Sequence, residues 1–175
     1  SLSCHCAIPR HRKPGRGEIK MWVDFLRWIH VIGATVLLGT GAGIAFFMVM
    51  AHRTGDIKLV AHTAGIVVVA DWIFTASAVI IQPITGVLLA KSIGWPLMQG
   101  WVLWSLILYV FVGLFWLPVV WIQKQMRDLA RDALRKGQAL PARYFKLYRI
   151  WFACGFPAFF AVLGIVWLMV SKPIF

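Results

Sequence analysis

Four long apolar stretches dominate the pattern along the chain, and few charged residues interrupt them. They run roughly over 22–50, 59–90, 101–122 and 150–170. Each reaches the ~20 residues that an α-helix needs to cross the hydrocarbon core of a bilayer. None shows the alternation of apolar and polar residues that is typical of membrane β-barrel strands. The pattern therefore predicts an all-α integral membrane protein, folded as a four-helix bundle.

Composition agrees with a membrane protein and leaves little room for a second folded domain. Hydrophobic residues make up 61% of the 175 residues, against ~45–50% in soluble domains. We expect a single four-span transmembrane domain over 21–175. We expect the preceding residues, 1–20, to be a basic extension that is disordered or not native, because Met21 directly precedes the first apolar stretch.

Half of the net charge of +12 lies in one segment, 123–149, between the third and fourth stretches. Eight basic residues lie there: Lys124, Arg127, Arg131, Arg135, Lys136, Arg143, Lys146 and Arg149. A basic loop between spans is the usual signature of the cytoplasmic side, and it can contact anionic lipid headgroups. We therefore expect a bacterial inner-membrane protein with this loop cytoplasmic and both termini periplasmic. No groove-reading motif accompanies the charge, so nucleic-acid binding is not expected.

His30 is the strongest candidate for a functional residue, because ionisable side chains inside a membrane are costly and mark functional sites. A neutral imidazole in a helix bundle can be an axial ligand of haem iron. Gly39 and Gly43 follow it and leave room either for a flat macrocycle or for a closely packed helix. The alternative is a histidine that is only hydrogen-bonded to a neighbouring helix.

The rise of ~1.5 Å per residue gives the depth of each residue along its span, and so the level of other polar residues relative to His30 when the spans are stacked. Gln82, Thr85 and Tyr109 are expected at its level, with Tyr109 in a supporting role. Pro83 is expected to kink the second span and to free a carbonyl one turn earlier.

Asp71 is the only acidic residue expected deep in the membrane. The stacking predicts that it faces the glycines of the first span and the 154–157 region. Paired with Arg53 or Arg149, it would form a structural ion pair; without a partner, it could relay protons. We assign Asp71 and Arg149 supporting roles beside His30.

His52 and His62 flank a short turn and could approach each other closely enough to share a metal ion or a haem. Two histidines without carboxylate or cysteine companions are a weak metal signal. The alternative is that both are ordinary interfacial residues.

Four sequence stretches cover all the predicted spans and carry a family resemblance. They are HVIGATVLLGTGAGIAFFMVMAHR, ADWIFTASAVIIQPITGVLLA, WLPVVWIQKQMRDLA and FPAFFAVLGIVWLMVSKP. On these stretches the chain from Met21 resembles an uncharacterised bacterial family of predicted integral membrane proteins, the domain of unknown function 2269. The resemblance implies a multi-span fold and no established activity.

Three features also carry a more distant similarity. They are FLRWIHV followed by His52, a Pro–x–Thr–Gly stretch at 83–86, and the 148–173 ending. They resemble HemJ-type protoporphyrinogen oxidases, four-helix membrane proteins that bind haem b, with the copper-resistance D-type membrane proteins as broader relatives. The resemblance implies His30 as a haem ligand.

Two departures limit what this similarity implies. HemJ-type proteins carry a His and a Lys near the start of the third span, where this chain reads WVLWSL at 101–106. Porphyrinogen oxidation is therefore less expected than haem binding. The methionines are scattered rather than grouped as in a copper importer.

Three functional hypotheses follow. The leading one is a b-type-cytochrome-like protein that binds haem b or transfers electrons, with a quinone or another membrane protein as partner. The alternative is a non-catalytic membrane subunit, scaffold or small transporter. A HemJ-like porphyrinogen oxidase is the third.

Overall fold

The computed structural model describes residues 15–173, and these residues form four long helices without a strand. Helix α1 spans Arg16–Thr54, α2 spans Ile57–Ser92, α3 spans Gly100–Lys136 and α4 spans Ala142–Ser171. Each is long and apolar enough to cross a membrane. The predicted all-α membrane bundle is confirmed.

The helices extend beyond the predicted spans, mostly at the end of the bundle that carries the basic residues. Helix α3 continues to Lys136 and ends at Gly137, whose φ of 62° is the left-handed conformation that glycine adopts most readily. Within the segment 123–149, only residues 137–141 are therefore not helical. Of the predicted N-terminal extension, residues 16–20 form the first turn of α1, and 1–14 lie outside the described residues.

A tight turn joins α1 and α2 at this basic end, which we define as the end holding the 55–56 and 137–141 connections. Gly55, with φ of 69°, ends α1. Asp56 then caps α2, because its side chain accepts a hydrogen bond from the Lys58 backbone N–H at 2.8 Å. Both are standard local signals for ending and starting a helix.

Helix α2 changes its winding in the middle. Residues Asp71–Thr75 form a π-helical segment, and the Ala76 N–H bonds to the Asp71 carbonyl five residues earlier. Short π segments within α-helices occur frequently at functional sites. Further along the same helix, Pro83 lies inside the α-helical part Ala76–Ser92.

The four helices pack in a ring in which each contacts two neighbours. Helix α1 packs along α2, the first half of α2 packs against α3, and α3 packs along α4. The α1–α4 contact closes the ring and is the least extensive of the four. The main buried cluster lies toward the basic end and includes Met48, Val60, Met126, Tyr144 and Trp151.

Candidate functional site

His30 lies inside the bundle near the end opposite the basic end, and its imidazole contacts two other helices. The side chain is 8% exposed. Its Nδ1 lies 2.8 Å from the Thr85 hydroxyl of α2, and its Nε2 lies 3.4 Å from the Met169 sulfur of α4. The ring therefore joins α1 to both helices that neighbour it.

Thr85 lets the imidazole hold its proton on either nitrogen. The hydroxyl can donate to Nδ1 while Nε2–H points at the sulfur, a weak acceptor. Alternatively the hydroxyl donates to the Ile81 carbonyl, 2.8 Å away, and accepts from Nδ1–H. The second arrangement leaves the Nε2 lone pair free beside the Met169 thioether, which has no proton to donate. That is the form in which histidine binds a metal, with its other N–H held by an acceptor.

Gln82 fixes the backbone on which His30 is carried. Its Nε2 donates to the His30 carbonyl at 2.8 Å, and it approaches α1 over Gly33, where a Cβ would overlap Gln82 Nε2. Gly86 lies against the other side of the ring, because a Cβ there would be 3.2 Å from His30 Cε1. The expected level of Gln82 and Thr85 beside His30 is thus what the structure shows.

We predict that Gly33→Ala destabilises the protein by about 1–2 kcal/mol, because the new methyl group displaces Gln82 from the His30 carbonyl. Gly39→Ala is the matched control, since open space surrounds that position and alanine favours the helix by up to about 1 kcal/mol. Thermal unfolding in detergent measures both variants. Equal stability of the two variants would contradict the packing described for Gly33.

Tyr109 satisfies the carbonyl that Pro83 frees. Proline has no N–H to bond to the carbonyl four residues earlier, which belongs to Val79, and the Tyr109 hydroxyl donates to that oxygen. Val79 lies about 9 Å from Thr85 along α2, at ~1.5 Å per residue. Tyr109 therefore holds α3 to α2 below the site rather than touching the imidazole.

Asp71 lies in a second buried polar cluster, between α2 and α3. Thr75, Trp116 and Gln123 surround it, and Asp71 Oδ2, Thr75 Oγ1 and Trp116 Nε1 each lack a hydrogen-bond partner among the described residues. A cavity of about 20 Å³ beside Asp71 and Trp116 is large enough for one water molecule. The cluster coincides with the π-helical segment, so the change in winding positions the carboxyl.

The predicted neighbours of Asp71 differ from those in the structure. Within residues 15–173 it forms no ion pair with Arg53, Arg149 or any other cation. Its side chain lies beside Trp116 and Gln123 of α3 and not beside the glycines of α1, and the π-helical winding begins at this residue. Arg149 is exposed and lies about 30 Å along α4 from Met169, at ~1.5 Å per residue, so it does not contact His30.

We predict that Asp71→Asn changes the free energy of unfolding by less than about 1 kcal/mol or stabilises the protein, since no ion pair is lost and a costly buried carboxylate is removed. Chemical or thermal unfolding in detergent measures this. A loss of stability above about 2 kcal/mol would show that a cation faces Asp71.

His52 and His62 lie against different neighbours. The His52 ring stacks on Tyr148 of α4 with ring centroids 3.7 Å apart, whereas His62 is exposed and lines a groove between α2 and α3. Within residues 15–173 no group of three or more histidine, cysteine, aspartate or glutamate side chains could hold a metal ion. The structure gives the weak two-histidine metal hypothesis no support.

Two further features lie on α1. Asp24 and Arg27, three residues apart, form an ion pair at 3.1 Å. Gly39 and Gly43, however, have no atom within 4 Å of an added Cβ, so this glycine face packs against no other helix within residues 15–173.

Met169 is the residue of the site that the sequence did not reveal. It is the third residue from the end of α4, and the level stacking did not place it beside His30. A methionine in an apolar helix gives no signal of its own.

The fold and the buried polar sites define a multi-pass helical membrane protein. The chain belongs to the family described as Predicted integral membrane protein (DUF2269), whose family model matches residues 24–173. No curated protein and no solved structure matches the chain. The similarity to HemJ-type and copper-resistance D-type proteins stays a prediction.

Proposed function

We propose that this integral membrane protein binds haem b and transfers electrons, with His30 as one axial ligand and Met169 as the other. The observation that supports the proposal is the meeting of a buried imidazole nitrogen and a thioether sulfur, 3.4 Å apart, on two helices of the bundle. Histidine and methionine are a known pair of axial ligands of haem iron.

An imidazole nitrogen and a thioether sulfur are both donors that haem iron binds. The distance between these two atoms, however, is too short for both to bind one iron without rearrangement. Bonds of about 2.0 Å from nitrogen and 2.3 Å from sulfur, typical of a first-row metal, require about 4.3 Å between two opposed donor atoms. The two donor atoms therefore have to move apart by roughly 1 Å, and the side chains around the pair have to make room for the macrocycle. The α1–α4 interface is the least extensive in the ring, so this is where the bundle opens most readily.

The surrounding residues prepare His30 for this role. With the proton on Nδ1, Thr85 accepts Nδ1–H and the Nε2 lone pair is directed toward Met169, the kind of outer contact that orients metal-binding histidines. Gln82 holds the His30 backbone through its carbonyl. A bound haem would supply one-electron redox chemistry, and the buried site would shield it from water.

The membrane setting extends the proposal to partners and orientation. We place the basic end at the cytoplasmic face of a bacterial inner membrane, because positive residues favour that side. His30 then lies toward the periplasmic face, within reach of a membrane quinone as electron partner. The basic residues of 123–149 contact anionic lipid headgroups.

Haem titration of the purified protein tests the proposal. Haemin added to the detergent-solubilised wild-type chain should bind at one haem per chain and give a sharp Soret band, because iron takes two protein ligands. His30→Ala should abolish this band. Val31→Ala, at a neighbouring exposed position of the same helix, should bind haem as the wild type does. Equal binding by wild type and His30→Ala would contradict His30 as a ligand.

The exposed glycine face of α1 supports a second candidate, a non-catalytic membrane subunit or scaffold. Small residues spaced along one helix face allow another transmembrane helix to approach closely, and in the part of the chain that the structure describes no helix occupies that face. Gly39→Leu should then abolish co-purification of a membrane partner while leaving the monomer folded. An unchanged set of co-purified proteins would contradict this candidate.

A further inference from the structure

A groove between α2 and α3 at the basic end is a separate candidate binding site. Its volume is about 620 Å³. Its lining changes from basic to apolar along its length: Lys58, His62 and Arg131, then Ile66, Val69 and Phe74.

The basic lining carries charge that no carboxylate neutralises. On α3, Arg127 binds Asp128 and Arg135 binds Asp132. Arg131 lies between them and makes no hydrogen bond or ion pair to a carboxylate within residues 15–173. The side chains of Lys58 and His62 on α2 also make no such contact within these residues. Among Arg127, Arg131 and Arg135, only Arg131 has no acidic partner within residues 15–173. It is also the one of the three that lines the groove.

Gly65 has no side chain, and this leaves the space that the Arg131 guanidinium occupies against α2. A Cβ at residue 65 would lie 2.8 Å from Arg131 Nη2, so the guanidinium packs directly on the backbone of α2. A side chain at residue 65 would displace the guanidinium from this position. Gly65 lies between the basic and the apolar parts of the lining.

The groove has the length and depth of a phospholipid in one leaflet. From Lys58 to Phe74 it covers about 24 Å along α2, at ~1.5 Å per residue. One half of the hydrocarbon core is about 15 Å thick, and the headgroup region adds several ångströms. Lys58 is close to the 55–56 turn at the basic end, so its charge lies at headgroup depth while Phe74 lies at the depth of the acyl chains.

We propose that this groove binds one anionic phospholipid. Arg131 and Lys58 would hold its phosphodiester, and one acyl chain would lie along Ile66, Val69 and Phe74. Positive charge selects an anionic ligand, and the apolar continuation selects a lipid over free phosphate, which would leave that part of the groove unfilled. The proposal is independent of haem binding at the opposite end.

Native mass spectrometry of the full chain released from detergent tests the proposal. The probes are phosphatidylglycerol and phosphatidylcholine with identical acyl chains, each with and without inorganic phosphate. The wild type should retain one phosphatidylglycerol about tenfold more strongly than phosphatidylcholine, the effect of one or two charge-assisted contacts. Arg131→Gln should remove most of that preference.

Two further variants distinguish lipid binding in this groove from general electrostatic attraction of lipid to the basic end, and from binding of phosphate alone. Arg127→Gln removes the same charge from a residue that is already paired, and it should keep the preference. Val69→Trp fills the apolar part without changing charge and should weaken retention of both lipids. Equal retention of the two lipids by the wild type, or equal losses in Arg127→Gln and Arg131→Gln, would overturn the proposal. So would displacement of phosphatidylglycerol by inorganic phosphate together with unchanged retention in Val69→Trp.

Discussion

Truncation of Met126 to alanine is expected to destabilise the protein by about 2–5 kcal/mol, the usual cost of removing a large side chain from a packed core. Met126 is 0% exposed and belongs to the main buried cluster. Its neighbours there include Val60, Tyr144 and Trp151 from other helices. In a membrane, packing contacts of this kind hold helices together, because lipid tails are as apolar as the core. Thermal or denaturant unfolding in detergent measures the loss.

Met98→Ala is the matched control, since Met98 is 73% exposed in the 93–99 connection. It should change the free energy of unfolding by less than about 0.5 kcal/mol, as most exposed substitutions do. Similar losses in the two variants would show that the core does not lie at the basic end.

Under the proposed ligation of haem by His30 and Met169, substitution of Met169 by leucine is expected to lower the reduction potential of the haem by on the order of 100 mV, because a methionine ligand raises the potential and axial ligands tune it over a wide range. Leucine keeps the apolar bulk but cannot bind iron. The haem should remain bound through His30, with an altered visible spectrum. A redox titration followed by absorbance measures the shift.

Met50→Leu makes the same exchange at an exposed position of α1, near the basic end, and it should leave the potential unchanged. An unchanged potential and spectrum in Met169→Leu would remove Met169 from the site. His30 would then need another partner or would act as the single protein ligand.

The transmembrane architecture was predictable because each apolar stretch is long enough to span a bilayer by itself. Helix ends were also readable, since Gly55, Asp56 and Gly137 are standard terminal residues. The exact extents were less predictable, because the charged ends of α3 and α4 stay helical through packing that hydropathy does not report.

The candidate site was predictable where a polar residue is rare and its level follows from helix rise. His30, Gln82 and Thr85 were placed together on that basis. Met169 was not, because an apolar side chain carries no sign of a site. The neighbours of Asp71 were also misplaced, because helix rise gives the level of a residue but not the face it lies on, and no sequence signal announces the π-helical winding of Asp71–Thr75.

The bond from Tyr109 to the Val79 carbonyl shows what sequence reasoning could have added. A proline inside a membrane helix leaves one carbonyl without its partner, and that oxygen needs a donor from elsewhere. Tyr109 was predicted at the level of His30, but its hydroxyl bonds to the Val79 carbonyl, about 9 Å from Thr85 along α2 at ~1.5 Å per residue. Its role is to hold two helices together beneath the site.

A reduced-minus-oxidised visible spectrum of protein purified from membranes, with haem supplied during expression, tests the central proposal most directly. Wild type should show Soret and α bands of a b-type haem, and His30→Ala should show neither. A flat wild-type spectrum, or bands that persist in His30→Ala, would contradict haem ligation by His30.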